Sequence, residues 1–348
     1  MKAQSQTNLT TRRKFIKAAT VLTASLSAGT SEGVEAELKN QKEYIMKEQY
    51  DVLVIGGGPA GLSASLALGR MRRTALVCDD NRPRNAPSMH MHNFPTRDGI
   101  NPASWREEAK KDVQKYPTVE FFSGSVVNVT RTPAGGFMAE LSSGSKVAFR
   151  KVILADGITD RFPAILGVKE LWGKSVFHCP YCHGYEIRDT AVGLVGNGDM
   201  AMHVLLLVTA LSKDVIFFTN GGANLTGEQK DLLSRKGIVL DERKIVTLES
   251  EGESLTGLRM EDGKKVLRQA LFIAPVLPFR PKSDLGEKLG CERTEMGLYK
   301  VSPKNETTAK GVFAAGDNMT TSQSVMSGCA NGATAASAAI YELVMEDE

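Results

Sequence analysis

Two glycine-rich turns constrain this chain most: Gly56-Gly57-Gly58-Pro59-Ala60-Gly61 and Gly196-Asn197-Gly198-Asp199-Met200-Ala201. Gln49 to Ile55 reads as a buried strand, and a helix through Leu62 to Arg70 follows the first turn. Gly56, Gly58 and Gly61 fill a Gly-x-Gly-x-x-Gly pattern. The first glycine permits a tight turn, the second lets backbone approach a pyrophosphate, and the third lets helix and strand pack closely. Pro59 and Ala60 open the helix, whose N-terminus offers free amides and a positive dipole end to phosphates. A second strand, Thr74 to Val77, ends in Cys78-Asp79-Asp80 and puts Asp79 about twenty residues beyond the glycines, where a ribose hydroxyl pair lies in such units. A tight turn without a ligand does not require that whole succession.

The second turn repeats the plan. Ala191 to Val195 is another short buried strand, and Gly196, Gly198 and the small Ala201 take the three positions. The next strand, Asp214 to Phe218, ends in Thr219-Asn220-Gly221-Gly222. An NAD site usually carries an acid there and an NADP site an arginine. Neither is present, so this unit either binds NADPH or NADH weakly or serves as a scaffold. Near the end, Gly311-Val312-Phe313-Ala314-Ala315-Gly316-Asp317 reads as a strand ending in Gly-Asp, followed by a small-residue helix from about Gln323 to Val344. The expected fold is α/β, with two Rossmann-like dinucleotide-binding domains and the second inserted into a discontinuous first. The expected segments are 47–161 and 283–348 for the first domain and 162–282 for the second.

Residues 1–46 read as a leader and linker. No acid precedes Glu32, whereas Lys2, Arg12, Arg13, Lys14 and Lys17 do. Thr11-Arg12-Arg13-Lys14-Phe15-Ile16-Lys17 followed by a mildly apolar Ala18 to Gly29 resembles a twin-arginine export signal, with a cleavage site after Val34-Glu35-Ala36. That predicts a periplasmic or extracytoplasmic enzyme; translation from Met46 would instead leave a cytoplasmic one. Loss of residues 1–36 lowers the formal charge from +3 to 0, and with 6% aromatic residues nucleic acid is a poor partner. No stretch approaches the roughly 18 apolar residues of a spanning helix.

Between the two turns lies Cys179-Pro180-Tyr181-Cys182-His183. Two cysteines at this spacing can close and reopen a small disulfide and so carry two electrons between a cofactor and a substrate. The reacting species is the thiolate, and His183 is placed to take or return its proton near pH 7; His178 reads as structural. Cys78, Cys291 and Cys329 stand alone and read as small buried hydrophobes. The same run also spells a c-type haem attachment site, although haem c is attached to an unfolded chain after export. Two cysteines supply only half a tetrahedral zinc set, so no metal is expected. A non-enzymatic, cofactor-loaded binding module is the remaining class, and it would keep its activity in Cys179→Ser.

The order of these motifs resembles the low-molecular-weight thioredoxin reductases, over essentially all of residues 47–348. The resemblance implies FAD in the first domain, with Asp317 of Gly316-Asp317 on the ribityl chain. It also sets Gln323, Ser324 and Val325 at the flavin pyrimidine edge, Asp156 and Gly157 in an Ala-Thr-Gly-like turn beneath the flavin, and Phe94-Pro95 in a flavin-contacting loop. Cys182 would face the flavin and Cys179 the external partner, a thioredoxin-like protein or a small-molecule dithiol or disulfide, and the enzyme would be a homodimer. Three departures stand out: His183 replaces an aspartate, the arginine clamp after Phe218 is missing, and Ser322 stands where an arginine is usual. The run Phe177 to Glu186 looks more like the gliotoxin- and holomycin-type dithiol oxidases of the same superfamily, which pass electrons from flavin to oxygen. The reductase direction is the default of the resemblance, and the oxidase direction its alternative.

Overall fold

The computed structural model describes residues 46–348; the leader expected at the N-terminus lies outside them, apart from Met46. Alternating apolar strands and helices build a first sheet from β1 (Gln49–Ile55), β2 (Ala75–Asp79), β3 (Val119–Ser123), β4 (Val126–Arg131), β5 (Phe137–Leu141) and β6 (Lys146–Leu154). Helix α1 (Pro59–Arg70) joins β1 to β2 and α2 (Pro102–Gln114) joins β2 to β3. The strand order is β3-β2-β1-β6-β5-β4. The β3-β2-β1-β6 part is parallel, and β4 to β6 form an antiparallel meander.

The chain then leaves this sheet and builds a second one. Its strands are β7 (Val176–Phe177), β8 (Val192–Val195), β9 (Val215–Phe218), β10 (Val239–Asp241) and, after a detour, β14 (Ala270–Ile273). They are parallel in the order β10-β9-β8-β14-β7. The short helices α3 (Val168–Leu171) and α4 (Pro180–His183) flank β7, while α5 (Gly198–Val208) and α6 (Gly227–Arg235) follow β8 and β9. The detour is a three-stranded antiparallel sheet of β11 (Ile245–Glu251), β12 (Ser254–Met260) and β13 (Lys265–Val266). Each face of the second sheet has its own core. Met202, Leu205 and Val208 of α5 pack with Phe217 and Phe272 on one face, and Leu255, Leu258 and Met260 pack with Phe218 and Leu271 on the other.

After α7 (Leu285–Lys288), β15 (Val312–Ala314) returns to the first sheet beside β6, and α8 (Val325–Glu346) lies against α1. Ala335, Ala339, Ile340 and Leu343 of α8 close over Ala64 and Leu68 of α1 above Val52 and Val54. A buried Leu or Ile contributes about 1.5–3 kcal/mol, so this seam is a principal source of stability for the first layer. Helix α8 starts at Val325 rather than Gln323, because the Ser324 hydroxyl caps it by accepting a hydrogen bond from the Ser327 amide at 3.0 Å. The two passages between the layers run antiparallel: Thr159 donates to the Arg280 carbonyl at 3.0 Å and Lys282 to that of Gly157 at 3.1 Å. The architecture is the predicted α/β fold with parallel, Rossmann-like sheets.

Candidate active site

The carboxyl ends of β1, β2, β6 and β15 lie side by side in register, and a ligand crevice in an open α/β sheet forms outside such an edge. Gly56 turns there with φ 106°, where an added Cβ would strike the Ala155 carbonyl. A Cβ on Gly61 would overlap the Gly56 carbonyl oxygen, which fixes the close approach of α1 to its strand. Gly58 is open, with no atom within 4 Å of where a Cβ would stand. Its helix has no side-chain cap, so the first-turn amides beyond Pro59 have no side-chain acceptor.

Asp79 ends β2, a quarter exposed, and is held by Arg106 at 2.9 Å. The Arg106 guanidinium also reaches Asn81. Asp317, after Gly316, is bound by the Arg84 guanidinium at 2.9 Å. The same guanidinium donates to Gln323 Oε1 at 2.7 Å and pairs with both oxygens of Asp160. The Gln323 Nε2 atom is buried without a partner, as is Asn318 Oδ1. Asp156 is used differently: one carboxylate oxygen accepts from the Ser283 amide and hydroxyl at 3.0 and 2.6 Å, the other from Asn318 at 2.9 Å. Burial drives its pKa up against those hydrogen bonds. Its carboxylate therefore braces the crossing, beside the turn at Gly157 (φ 72°). Ser324 likewise spends its hydroxyl on the cap, and Val325 packs on the α1–α8 core. Uncapped amides, an open glycine, a terminal acid and orphaned buried polar atoms fit a dinucleotide cofactor such as FAD.

The dithiol follows the edge strand β7 at the carboxyl edge of the second sheet. Cys179 and Cys182 are joined as a disulfide, with Cα atoms 5.3 Å apart, and both are half-buried. Sulfurs joined to each other form a redox pair and not two thioether anchors for haem. The His183 ring stacks on Phe177 at 4.5 Å, and its Nε2 meets the Ser88 hydroxyl at 3.1 Å. Its Nδ1 is buried without a partner, and burial lowers its pKa. His178 stacks on Trp172 and is pushed down to about 3, first by burial and then by Arg84. The β2–α2 loop covers this segment through three contacts. Besides Ser88, Asn93 donates to the Tyr181 carbonyl at 2.7 Å, and His92 lies 3.4 Å from Glu186.

At the second turn, Gly196 packs against Ala201, which is fully buried, and Gly198 takes φ 67°. The Asn197 side chain ties the turn to the next loop. Its oxygen accepts from the Gly198 and Asn224 amides at 3.2 and 2.7 Å, and its nitrogen donates to the Gly222 carbonyl at 3.0 Å. The loop after β9 is thereby tied to the turn, while Gly198 stays open, with no atom within 4 Å of where a Cβ would stand.

A dinucleotide crevice and a redox disulfide carried by an inserted Rossmann-like layer define a flavin-dependent disulfide oxidoreductase. The chain belongs to the pyridine nucleotide-disulphide oxidoreductases, whose family model matches residues 50–339. It is similar to thioredoxin reductase tcpT of Claviceps purpurea, 39% identical over 77% of this chain and 86% of that protein. The solved structure of HlmI is 36% identical with a TM-score of 0.82, over 87% of this chain and 95% of the other. An oxidoreductase from Agrobacterium tumefaciens is 35% identical with a TM-score of 0.79, over 85% and 99%. The protein is an oxidoreductase of the thioredoxin reductase-like type, and its cofactor is FAD. Sequence reasoning missed Arg84, Arg106, Ser88 and Asn93. Arg84, Ser88 and Asn93 lie in an irregular loop where no periodicity marks which side chains turn inward, and Arg106 lies on the mostly polar helix α2.

Proposed function

We propose that this enzyme oxidises a small-molecule dithiol to its disulfide through Cys179–Cys182 and FAD, with oxygen as the final acceptor. The observation that carries this direction is the Asn197 side chain at the second glycine turn, whose amide is spent on Gly222 and Asn224 and so is not free to bind a nicotinamide nucleotide. The acid or arginine expected beyond β9 is also missing from Thr219 to Gly222. The export signal read at residues 1–36 adds support, because reduced nicotinamide is not supplied outside the cytoplasm.

A substrate thiolate attacks Cys179 Sγ, a mixed disulfide forms and Cys182 leaves as thiolate. The second substrate thiolate then attacks the substrate sulfur of that mixed disulfide and releases Cys179 as thiolate. The substrate loses two electrons and two protons, and the protein pair gains the electrons. Bound FAD would supply the two-electron acceptor for the Cys179–Cys182 dithiol, with oxygen, reduced to hydrogen peroxide, as the final acceptor. Burial lowers the pKa of His183, which favours the neutral ring that a proton acceptor from a thiol must present. Its hydrogen bond to Ser88 fixes the ring. Loss of such a base slows proton transfer by about 10²-fold or more, so His183→Ala should slow thiol-driven flavin bleaching by that order in stopped flow. An unchanged rate and pH profile would remove His183 from the reaction.

The second reading is nicotinamide-driven reduction of a thioredoxin-like protein, favoured by the name thioredoxin reductase borne by the Claviceps relative. Anaerobic mixing separates the two. Bleaching by dithiothreitol with reoxidation by oxygen, and none with NADPH or NADH, is the expected result. Rapid bleaching by NADPH reverses the direction. A homodimer is the proposed working form, and light scattering of the holoenzyme at monomer mass would exclude it.

A further inference from the structure

We infer that Arg84 is a positioning residue of the FAD site, acting by locking the Gln323 amide with its NH2 group turned toward the cofactor. The inference rests on the assignment of the first crevice to FAD. Arginine donates and never accepts, so the Gln323 atom 2.7 Å from Arg84 Nη1 is the carbonyl oxygen. The NH2 end must then face away, and that nitrogen is the buried atom without a partner. A glutamine free to rotate could present either end.

The guanidinium is itself held on several sides. Nε and Nη2 form a two-point pair with Asp160 at 2.8 and 2.5 Å, and Nη1 also donates to Asp317 at 2.9 Å. The Arg84 side chain is 18% exposed. Burial alone would lower its pKa, but the Asp160 and Asp317 carboxylates hold it above the ordinary value, so the fork stays charged. Three distant segments meet on it: the passage at Asp160, the Gly316-Asp317 turn after β15, and the residue two places before α8. A lysine could supply the charge but not the planar fork that spans these acceptors.

An N–H donor directed at the pyrimidine edge of an isoalloxazine favours its electron-rich reduced form over the oxidised one, and protein hydrogen bonds tune flavins in this way. Arg84 thus raises the flavin potential through Gln323. The test is the midpoint potential of the bound flavin, by dye equilibration, in holoenzyme carrying Arg84→Met, Gln323→Met, both, or Arg84→Lys. Arg84→Met and Gln323→Met should each cut the reduced-to-oxidised ratio about tenfold, a downward shift of about 30 mV for a two-electron couple. The double variant should fall no lower than Gln323→Met alone, and Arg84→Lys should recover only part of the shift. An unmoved potential in Arg84→Met, or fully additive shifts in the double variant, overturns the inference. Should Arg84→Met lose its flavin, Asp160→Asn loosens the fork while keeping the arginine; a lowered potential supports the role and an unchanged one overturns it. Parent protein that takes up no FAD would instead overturn the assignment of the crevice.

Discussion

His178 shows what burial does to one side chain beside the dithiol. Stacked on Trp172, it falls from 6.5 to about 3 by burial, aided by Arg84 and opposed by Asp160. Between those values the unfolded chain binds a proton that the folded one refuses. Stability is therefore full above about pH 6.5 and is lost as pH falls toward 3, at up to about 1.4 kcal/mol per pH unit. His178→Phe keeps a ring on Trp172 and removes the titration, so its urea midpoint should decline less steeply between pH 7 and pH 4 than the parent's. Parallel declines would show that other groups set the acid limb. At this scale the Cys179, Cys182 and His183 run was legible because its chemistry is written in residue type and spacing. Arg84 was not, since a buried arginine is legible only from its acceptors, and Asp160, Asp317 and Gln323 are remote in sequence.

Helix α8 meets α1 so closely that a Cβ on Gly332 would overlap the Ala60 carbonyl, whereas one on Gly328 would find its nearest neighbour, Pro59, at 3.4 Å. The two glycines make a controlled pair. Gly332→Ala should cost about 1–3 kcal/mol by overpacking and lower the FAD content, because Ala60 opens the first turn. Gly328→Ala should be neutral or mildly stabilising, as alanine is the better helix former. Equal unfolding midpoints for the two variants would contradict this geometry. The glycine turns and their flanking strands could be read beforehand because only small residues permit those approaches. The start of α8 was misplaced by two residues, since a glutamine is a good helix former and only the Ser324 cap marks the boundary. Asn197 was visible within its motif, but its reach to Gly222 and Asn224 depends on how the next loop folds, and no local pattern encodes that.

Across the whole molecule, the C-terminal helix is fastened by charge as well as packing. Lys151 on β6, 4% exposed, is bound by Glu342 and Glu346 at 2.8 and 2.5 Å, while Arg73 and Arg150 hold Asp347. Breaking a buried pair strands its partner at about 3–5 kcal/mol, whereas replacing the ion by an apolar side chain of similar size is often tolerated. The variant Glu342→Gln/Glu346→Gln should thus unfold at lower urea than Lys151→Met; the reverse order would mean that the amine is solvated. The α/β order of the layers was readable from the succession of strands and helices, while β10 to β13 were not: β10 and β13 are short, and register shifts in the β11–β12 hairpin break its apolar alternation. The return of β15 to β6 carries a consequence for biosynthesis. The inserted layer is continuous in sequence and can complete itself on the ribosome, but the first layer lacks β15 and α8 until the whole inserted layer has been made. Its half-built sheet waits with the inner edge of β6 unpaired and α1 uncovered, conditions that invite misassembly. The FAD crevice therefore cannot close before β15 and α8 have followed the inserted layer off the ribosome.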